Sequence, residues 1–571
     1  MRRQAMNRAM RWLVPALFLM LGPVQAAYSP DTVATTDNNT TLRNIPSTAA
    51  PYVMRLGFAA PGDTGSPLMF KASNAACSLN AGNGDGGSQV KSLDNKCWLA
   101  QWEPTGISPM QFGAKGNGSG NDTNAVQAAI DAATNATVLL GPGTYAVDGL
   151  TCNHRMQMIG ASGGGGFITR APNQTVLTLA PGCNNSLFRS FWISNAGAAS
   201  GTGILIAPGT SSITLEHITI GGTCVGLDIN GVDHSANRIL INGTVGAACY
   251  GVRVGHQTNS GQTSDFRLTS STLAGNQAGP GGTGVLIEDS GGMQVTNTNV
   301  IFFNKGTVIK PGGTGVVQQT VWWTFFSNTV LGDTDTSVAF EIDTGRSDAQ
   351  VKSLMCIGCW MSSSTAGPGL TISNTAGAAV FHGFHFIGAR VYQNNLDGVD
   401  LNAGTDIDFD TSFVCGNSVA AGHHGIVAAA NVTNLRIRGG KIGGFCDGFV
   451  TTYNNGIILT GPNTGVLIQG VDLSQGNINT IIYGAGVVAR IEGNPGFSLA
   501  SASGPASASP YTYSAGNTRE YVCLTGGTVS NVAVGGTTMA TGTNSCVSLS
   551  PHQSVVVTHS ATPTIAISPQ P

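Results

Sequence analysis

Phe112–Leu150 reads FGAKGNGSGNDTNAVQAAIDAATNATVLLGPGTYAVDGL, and the order of its parts decides the fold. A Gly-rich loop runs to Asp122, a residue type suited to an N-cap. Val126, Ala129, Ile130 and Ala133 then fall at i, i+3, i+4 and i+7, one apolar face of a short helix. After Thr134-Asn135 the pattern changes period. Val138-Leu139-Leu140 predicts a strand, Gly141-Pro142-Gly143 a turn, and Tyr145-Ala146-Val147 a second strand.

This run resembles the opening of the pectate-lyase superfamily, whose members, with many phage tailspikes, begin FGA-x-G-(D/N)-G…D(D/N)T…aIQaAIdaA…PpGtY. The resemblance implies a right-handed parallel β-helix whose open end is capped by the short helix. It implies no single chemistry, because the superfamily holds lyases, hydrolases, epimerases and non-catalytic binders.

Working outward, a repeat emerges from Gly203 onward: Gly, apolar, any residue, apolar. It recurs as Gly203-Ile-Leu-Ile, Gly226-Leu-Asp-Ile, Gly251-Val-Arg-Val, Gly284-Val-Leu-Ile and Gly306-Thr-Val-Ile. Further on come Ala339-Phe-Glu-Ile, Gly369-Leu-Thr-Ile, Gly398-Val-Asp-Leu, Gly425-Ile-Val-Ala and Gly456-Ile-Ile-Leu. The spacing of 22 to 33 residues is that of solenoid repeats. One such turn cannot bury its own apolar face, so the turns must stack. The expected fold class is all-β: a right-handed parallel β-helix with an N-terminal capping helix and a small C-terminal β domain.

The rest of the chain frames this coil. Arg2, Arg3, Arg8 and Arg11 precede the apolar run Trp12–Leu21, and Val24-Gln25-Ala26 offers a small-residue cleavage site. Residues 1–26 therefore predict a signal peptide, and no later apolar run reaches about 18 residues. The mature protein is expected to be secreted or periplasmic, or held at the cell surface, with no membrane contact after cleavage. Residues 27–109 hold a polar segment and a small pre-helix module, 110–498 the coil, 499–510 a Ser/Ala/Pro linker, and 511–571 the C-terminal β domain.

With 80 glycines among 571 residues and only 10% charged residues, the chain suits many short strands joined by tight turns. A net charge of −3 without any Lys/Arg run argues against nucleic acid as partner. Twelve cysteines in an exported chain favour disulfides. Local spacing pairs Cys77 with Cys97, Cys152 with Cys183, Cys224 with Cys249, Cys415 with Cys446 and Cys523 with Cys546. Cys224 and Cys249 each lie two residues before a repeat glycine, so stacked turns bring them within disulfide reach. Cys356 and Cys359 remain as a C-x-x-C, without the βαβ context or second ligand pair of a redox or zinc site. A structural disulfide or two half-buried thiols is expected there.

In this register the middle residue of each repeat points outward. The resulting column reads Leu205, Asp228, Arg253, Leu286, Val308, Glu341, Thr371, Asp400, Val427, Ile458. Two residues on, a second column reads Ala207, Asn230, Gly255, Glu288, Lys310, Asp343, Ser373, Asn402, Ala429, Thr460. Glu341 and Asp400 are two turns apart, about 9–10 Å at two strand spacings. Asp343 lies about 7 Å along the strand from Glu341. Inverting glycosidases hold their carboxyls about 6.5–9.5 Å apart to admit a water. Glu341, Asp343 and Asp400 are therefore the candidate catalytic acid and base, with Arg253 and Lys310 as candidate ligands of an anionic sugar.

Two other stretches carry chemistry. In Val321-Trp-Trp-Thr-Phe-Phe326, strict alternation leaves at least two of Trp322, Trp323, Phe325 and Phe326 outside, and Trp322 and Trp323 are candidate sugar platforms. Asp406, Asp408 and Asp410 alternate with Ile407 and Phe409, so all are expected on one face, where a hard cation can bind. The order Asn395-Leu-Asp397-Gly-Val-Asp400, Asp408, Gly422-His-His424-Gly, Arg436-Ile-Arg438 resembles the polygalacturonase motifs, but its intervals are near half a coil and the paired aspartates are replaced by Asp406-x-Asp408-x-Asp410. No metal site is assigned and no cofactor is expected, with Ca²⁺ needed only if the chemistry is that of a lyase.

The reading is a polysaccharide-recognising protein acting as a polysaccharide lyase or glycoside hydrolase. The alternative is a non-catalytic adhesin or structural surface protein. The tailspike resemblance implies a homotrimer.

Overall fold

The computed structural model describes residues 33–570 apart from 103–105, 162–163, 196–199, 244–245, 247, 257–262, 313–318, 475–480 and 498–501. The predicted signal peptide and the start of the linker lie outside these residues. The chain divides into two units, Met1–Trp102 and Glu103–Pro571. In the first, a five-stranded sheet and the helix Asn39–Arg43 enclose Leu42, Val53, Leu68, Phe70, Val90 and Trp98. Arg55 is buried there between the rings of Phe58 and Phe70, and its guanidinium donates to the carbonyl of Gly86.

The second unit is the expected parallel coil. As far as Lys441–Gly443, each turn contributes a strand to three sheets in the same sequence, and the last turns contribute to two. A 13-stranded repeat sheet runs from Leu150–Cys152 to Ile481–Tyr483, and a 15-stranded wide sheet from Thr137–Leu140 to Ala489–Glu492. The third, 12-stranded, runs from Thr144–Val147 to Lys441–Gly443. All ten repeat units fall in the repeat sheet, their apolar residues turned into the core, with Ile204, Leu227 and Val252 fully buried. The repeat glycine has a steric cause. A Cβ on Gly284 would lie 2.1 Å from Val300 Cγ1 and 2.7 Å from the carbonyl oxygen of Gly306 on the next rung.

Both open ends of the coil are closed by side-chain or backbone mimicry of a further rung. At the start, helix Thr123–Ala132 buries Val126, Ala129 and Ile130. Its Gln127 amide accepts from the N–H of Thr151 at 2.9 Å and donates to the carbonyl of Thr151 at 2.8 Å. The edge strand thus finds the partners that a neighbouring strand would supply. Asp122 stands at the N-cap position but does not cap the helix with its side chain. Its carboxylate accepts instead from the N–H groups of Lys115 and Gly116, tying down the Gly-rich loop.

At the other end, Thr518 pairs in parallel with Ile491, and Asn517 Oδ1 accepts from the N–H of Ala489 at 2.9 Å. Beyond this lie two four-stranded antiparallel sheets around Val522, Leu524, Val532, Leu549, Val555 and Val557. The five expected cysteine pairs are disulfides, and Cys356–Cys359 is a sixth.

The corners of the coil are built from single left-handed residues. Leaving the wide sheet, Ser190, His217, Arg238, Ser270, Asn297, Asn328, Gly358, Gly388, Thr411, Gly439, Gly470 and Gly493 stack in register, each with φ between 49° and 66°. A second file enters the same sheet and includes Trp323, Ser353, Gly383, Asp406 and Asn434. These corners overturn two expectations of unbroken alternation. At Trp323 the alternation restarts, so Thr324 and Phe326 point inward while Trp323 and Phe325 are 54% and 40% exposed. Asp406 is a corner residue, so only Asp408 and Asp410 share a strand face.

Candidate functional site

The outer column of the repeat sheet stands in the expected register. Val308 pairs with Glu341, Glu341 with Thr371, Thr371 with Asp400, and Asp400 with Val427. The flanking Phe340, Ile342, Leu370, Ile372, Val399 and Leu401 are wholly buried, which leaves the middle residues on the outer face. Glu341 and Asp343 are nevertheless only 9% and 4% exposed. Both are spoken for by cations. Lys305 Nζ bonds Glu341 Oε2, and Lys310 Nζ lies 2.8 Å from Asp343 Oδ2.

Asp343 also accepts from the N–H and hydroxyl of Thr375, both at 2.9 Å. Its burial opposes ionisation, but Lys310 and the N–H groups of Thr375 and Thr344 outweigh it, so the carboxyl sits below the usual range. Asp400 goes the other way. Burial and the nearby charge of Asp397 raise it, against one hydrogen bond from Asn402 at 3.2 Å. One face thus holds a carboxyl biased toward the proton and, two rungs away, one biased against it.

Arg253 and Lys310, expected as free cations, each already hold a carboxylate. Arg253 makes a bidentate pair with Glu288 at 2.6 and 3.2 Å, with the Tyr250 ring 4.8 Å beneath its guanidinium. Asp228, on the rung before Arg253, is raised by burial, which the bond from Asn230 and the charges of His256 and Arg253 only partly offset. Glu288 is lowered because His256 and Arg253 outweigh its burial. This second opposed pair was missed in the sequence, where Asp228 and Glu288 were merely members of the two columns.

The aromatic residues lie on the wide sheet instead. Trp322 and Trp323 meet edge to face at 5.7 Å, and Lys352 Nζ sits 3.8 Å over the Trp322 ring. Trp323 presents its ring to solvent, while Trp322 is half-buried. Down the same outer face, Phe325, Met355, His385, Asp408 and Arg436 follow one another rung by rung. His385 Nδ1 lies 2.8 Å from Asp408 Oδ2, and Arg436 3.3 Å from Oδ1. His385 escaped notice because its register shows only once the corners are placed.

The three aspartates do not form a cation site. Asp410 pairs with Arg438 at 3.2 Å and Asp406 accepts from Asn434 at 3.0 Å, which leaves each facing a different partner. Among the described residues no three His, Cys, Asp or Glu side chains converge. The polygalacturonase-like order is divided as well: Asp400 stands on the repeat sheet, Asp408 on the wide sheet, and Asp397 accepts from the N–H of His424.

No family model and no curated protein matches the sequence. Solved structures do. Tailspike protein 3 of bacteriophage CBA120 is 14% identical, covers 69% of this chain and 62% of its own, and superposes with a TM-score of 0.51. A tailspike mutant of E. coli bacteriophage HK620, in complex with a hexasaccharide, is 10% identical over 85% of this chain and 98% of its own, with a TM-score of 0.50. The A-module of a mannuronan C-5 epimerase of Azotobacter vinelandii is 16% identical over 68% and 98%, at 0.49. The fold is that of a right-handed parallel β-helix, as the opening motif implied.

Proposed function

We propose that the protein binds a polysaccharide along the flank of its coil and cleaves it by glycosidase chemistry on the repeat sheet. The observation that carries this reading is the placing of Asp343 and Asp400 two rungs apart on one outer face, in surroundings that shift them in opposite directions: burial raises Asp400, while Lys310 and Thr375 outweigh burial and lower Asp343. Opposed carboxyls are how one site supplies an acid and a base at the same pH. In this reading Asp400 gives its proton to the leaving glycosidic oxygen as that bond breaks. Asp343 takes a proton from the water that attacks the anomeric carbon, and Glu341, paired with Lys305, stands beside Asp343 on the same rung. Because Arg253 and Lys310 already hold carboxylates, a neutral sugar fits better than an anionic one. Trp322 and Trp323 serve as a sugar platform outside the cleavage site. Six disulfides fit an oxidising, extracellular setting.

A second reading, a non-catalytic adhesin, is favoured by the full set of partners on Asp343. One assay separates them. The purified protein is incubated with a panel of neutral and uronate polysaccharides, following reducing ends, ultraviolet absorbance of a new double bond, and binding. The glycosidase reading predicts reducing ends without absorbance, and a loss of about 100-fold or more in Asp343→Asn and Asp400→Asn. Binding without either product favours the adhesin, and absorbance indicates a lyase. Cleavage that survives Glu341→Gln, Asp343→Asn and Asp400→Asn removes the assignment of residues.

A further inference from the structure

Where the last coil meets the C-terminal sheets, a pocket of about 390 Å³ is lined by Gln469, Gly470, Glu492, Gly493, Arg519, Tyr521 and Gln570. Its two walls come from different architectures. Gln469 and Glu492 are partners on adjacent rungs of the wide sheet, and Gly470 and Gly493 are the corner residues that follow them. A Cβ on Gly493 would meet nothing within 4 Å, so the glycine leaves its side of the pocket open. The opposite wall is the strand Arg519–Thr525, where Arg519 and Tyr521 alternate onto one face and Arg519 pairs with Gln570 of the neighbouring strand.

The walls are held together by a backbone bridge and a side-chain hydrogen bond. Thr518, just before Arg519, continues the wide sheet from Ile491, and His552 Nε2 lies 2.7 Å from the carbonyl of Ala489. The pocket therefore stands preformed between rigid elements, as small-ligand sites usually do, and its volume falls within their range of about 300–1,000 Å³. Its groups are suited to hydroxyls. Two primary amides offer a donor and an acceptor each, Arg519 offers donors, and Glu492, steadied by Arg490 at 2.7 Å, offers acceptors. Tyr521, 44% exposed, presents a phenol ring for the C–H face of a pyranose. Among the described lining residues only Glu492 and Arg519 are ionised, and they carry opposite charges.

We propose that this pocket binds a neutral sugar residue and gives the C-terminal part of the chain a carbohydrate-binding role of its own, independent of any cleavage on the repeat sheet. The test is saturation-transfer NMR on the full chain with maltotriose, cellotriose and N-acetylchitotriose, and with trigalacturonate as the charged counterpart. At least one neutral trisaccharide is expected to bind. Its affinity should fall about tenfold or more in Tyr521→Ala and in Arg519→Ala, and stay unchanged in Met539→Ala, an exposed residue of the C-terminal sheets outside the pocket. Tyr521 and Arg519 are solvent-facing, and an unchanged melting temperature confirms that each variant is folded. The proposal is overturned by no binding of any neutral probe, by preference for trigalacturonate, or by binding that survives both pocket substitutions.

Discussion

Asp335 occupies a buried corner position where later turns use asparagine. Asn394 accepts from the N–H of Ser364 and donates to the carbonyl of Met361, and Asn417 does the same for Asn394 and Val391. Asp335 Oδ1 accepts from Phe303 N–H at 2.8 Å, but its Oδ2 has no hydrogen-bond partner among the described residues and the residue is 0% exposed. Burial drives its carboxyl well above the usual range, against the Phe303 N–H and with some help from Asp333. A carboxyl raised in the folded state contributes stability below its unfolded pKa and loses it as pH rises through the folded value. Asp335→Asn restores the amide and removes that loss. The variant should gain about 1–3 kcal/mol near neutral pH and little near about pH 4. Thermal melts at both pH values check this; an equal change at both would contradict it.

Among elements, the corners were the least legible in the sequence. The repeat strands announced themselves because the core demands apolar residues on either side of the outer position, and the crowding at Gly284 demands a glycine at the head. The corner file carries Ser, His, Arg, Asn, Thr and Gly at one structural position, so no residue type marks it. What these residues share is a left-handed backbone, which a non-glycine side chain adopts at a cost and only where stacking compels it. Unplaced corners are why Trp323 and Asp406 were assigned to continuous strands and why His385 was passed over. Gly388 isolates the backbone effect: its φ is 58°, and a Cβ there would meet nothing within 4 Å. Gly388→Val should therefore destabilise the coil by about 1–2 kcal/mol through conformation alone. Urea unfolding at the wild-type midpoint would contradict that cause.

For the whole molecule, the opening motif and the repeat were enough to read the coil and its register, and local spacing gave five disulfides, while Cys356–Cys359 stayed open between a bridge and two thiols. The candidate site was only half legible. The outer file of carboxylates follows from period and stacking, but the cations that meet them do not. Lys305 comes from the first position of its own strand, one rung before Glu341, and its long side chain crosses to that rung. The ladder is thus a zipper of ion pairs as well as a candidate acid–base site. Every functional proposal on that face requires Thr371 and Asp400 to be neighbours on consecutive rungs, as Cys224 and Cys249 are, with a Cα separation of 4.5 Å. The most direct test is to introduce Thr371→Cys and Asp400→Cys together and map the disulfides of the oxidised protein by peptide mass spectrometry. The account predicts a cross-link between the two new thiols with all six native bridges kept. Two free thiols in a folded chain would contradict it.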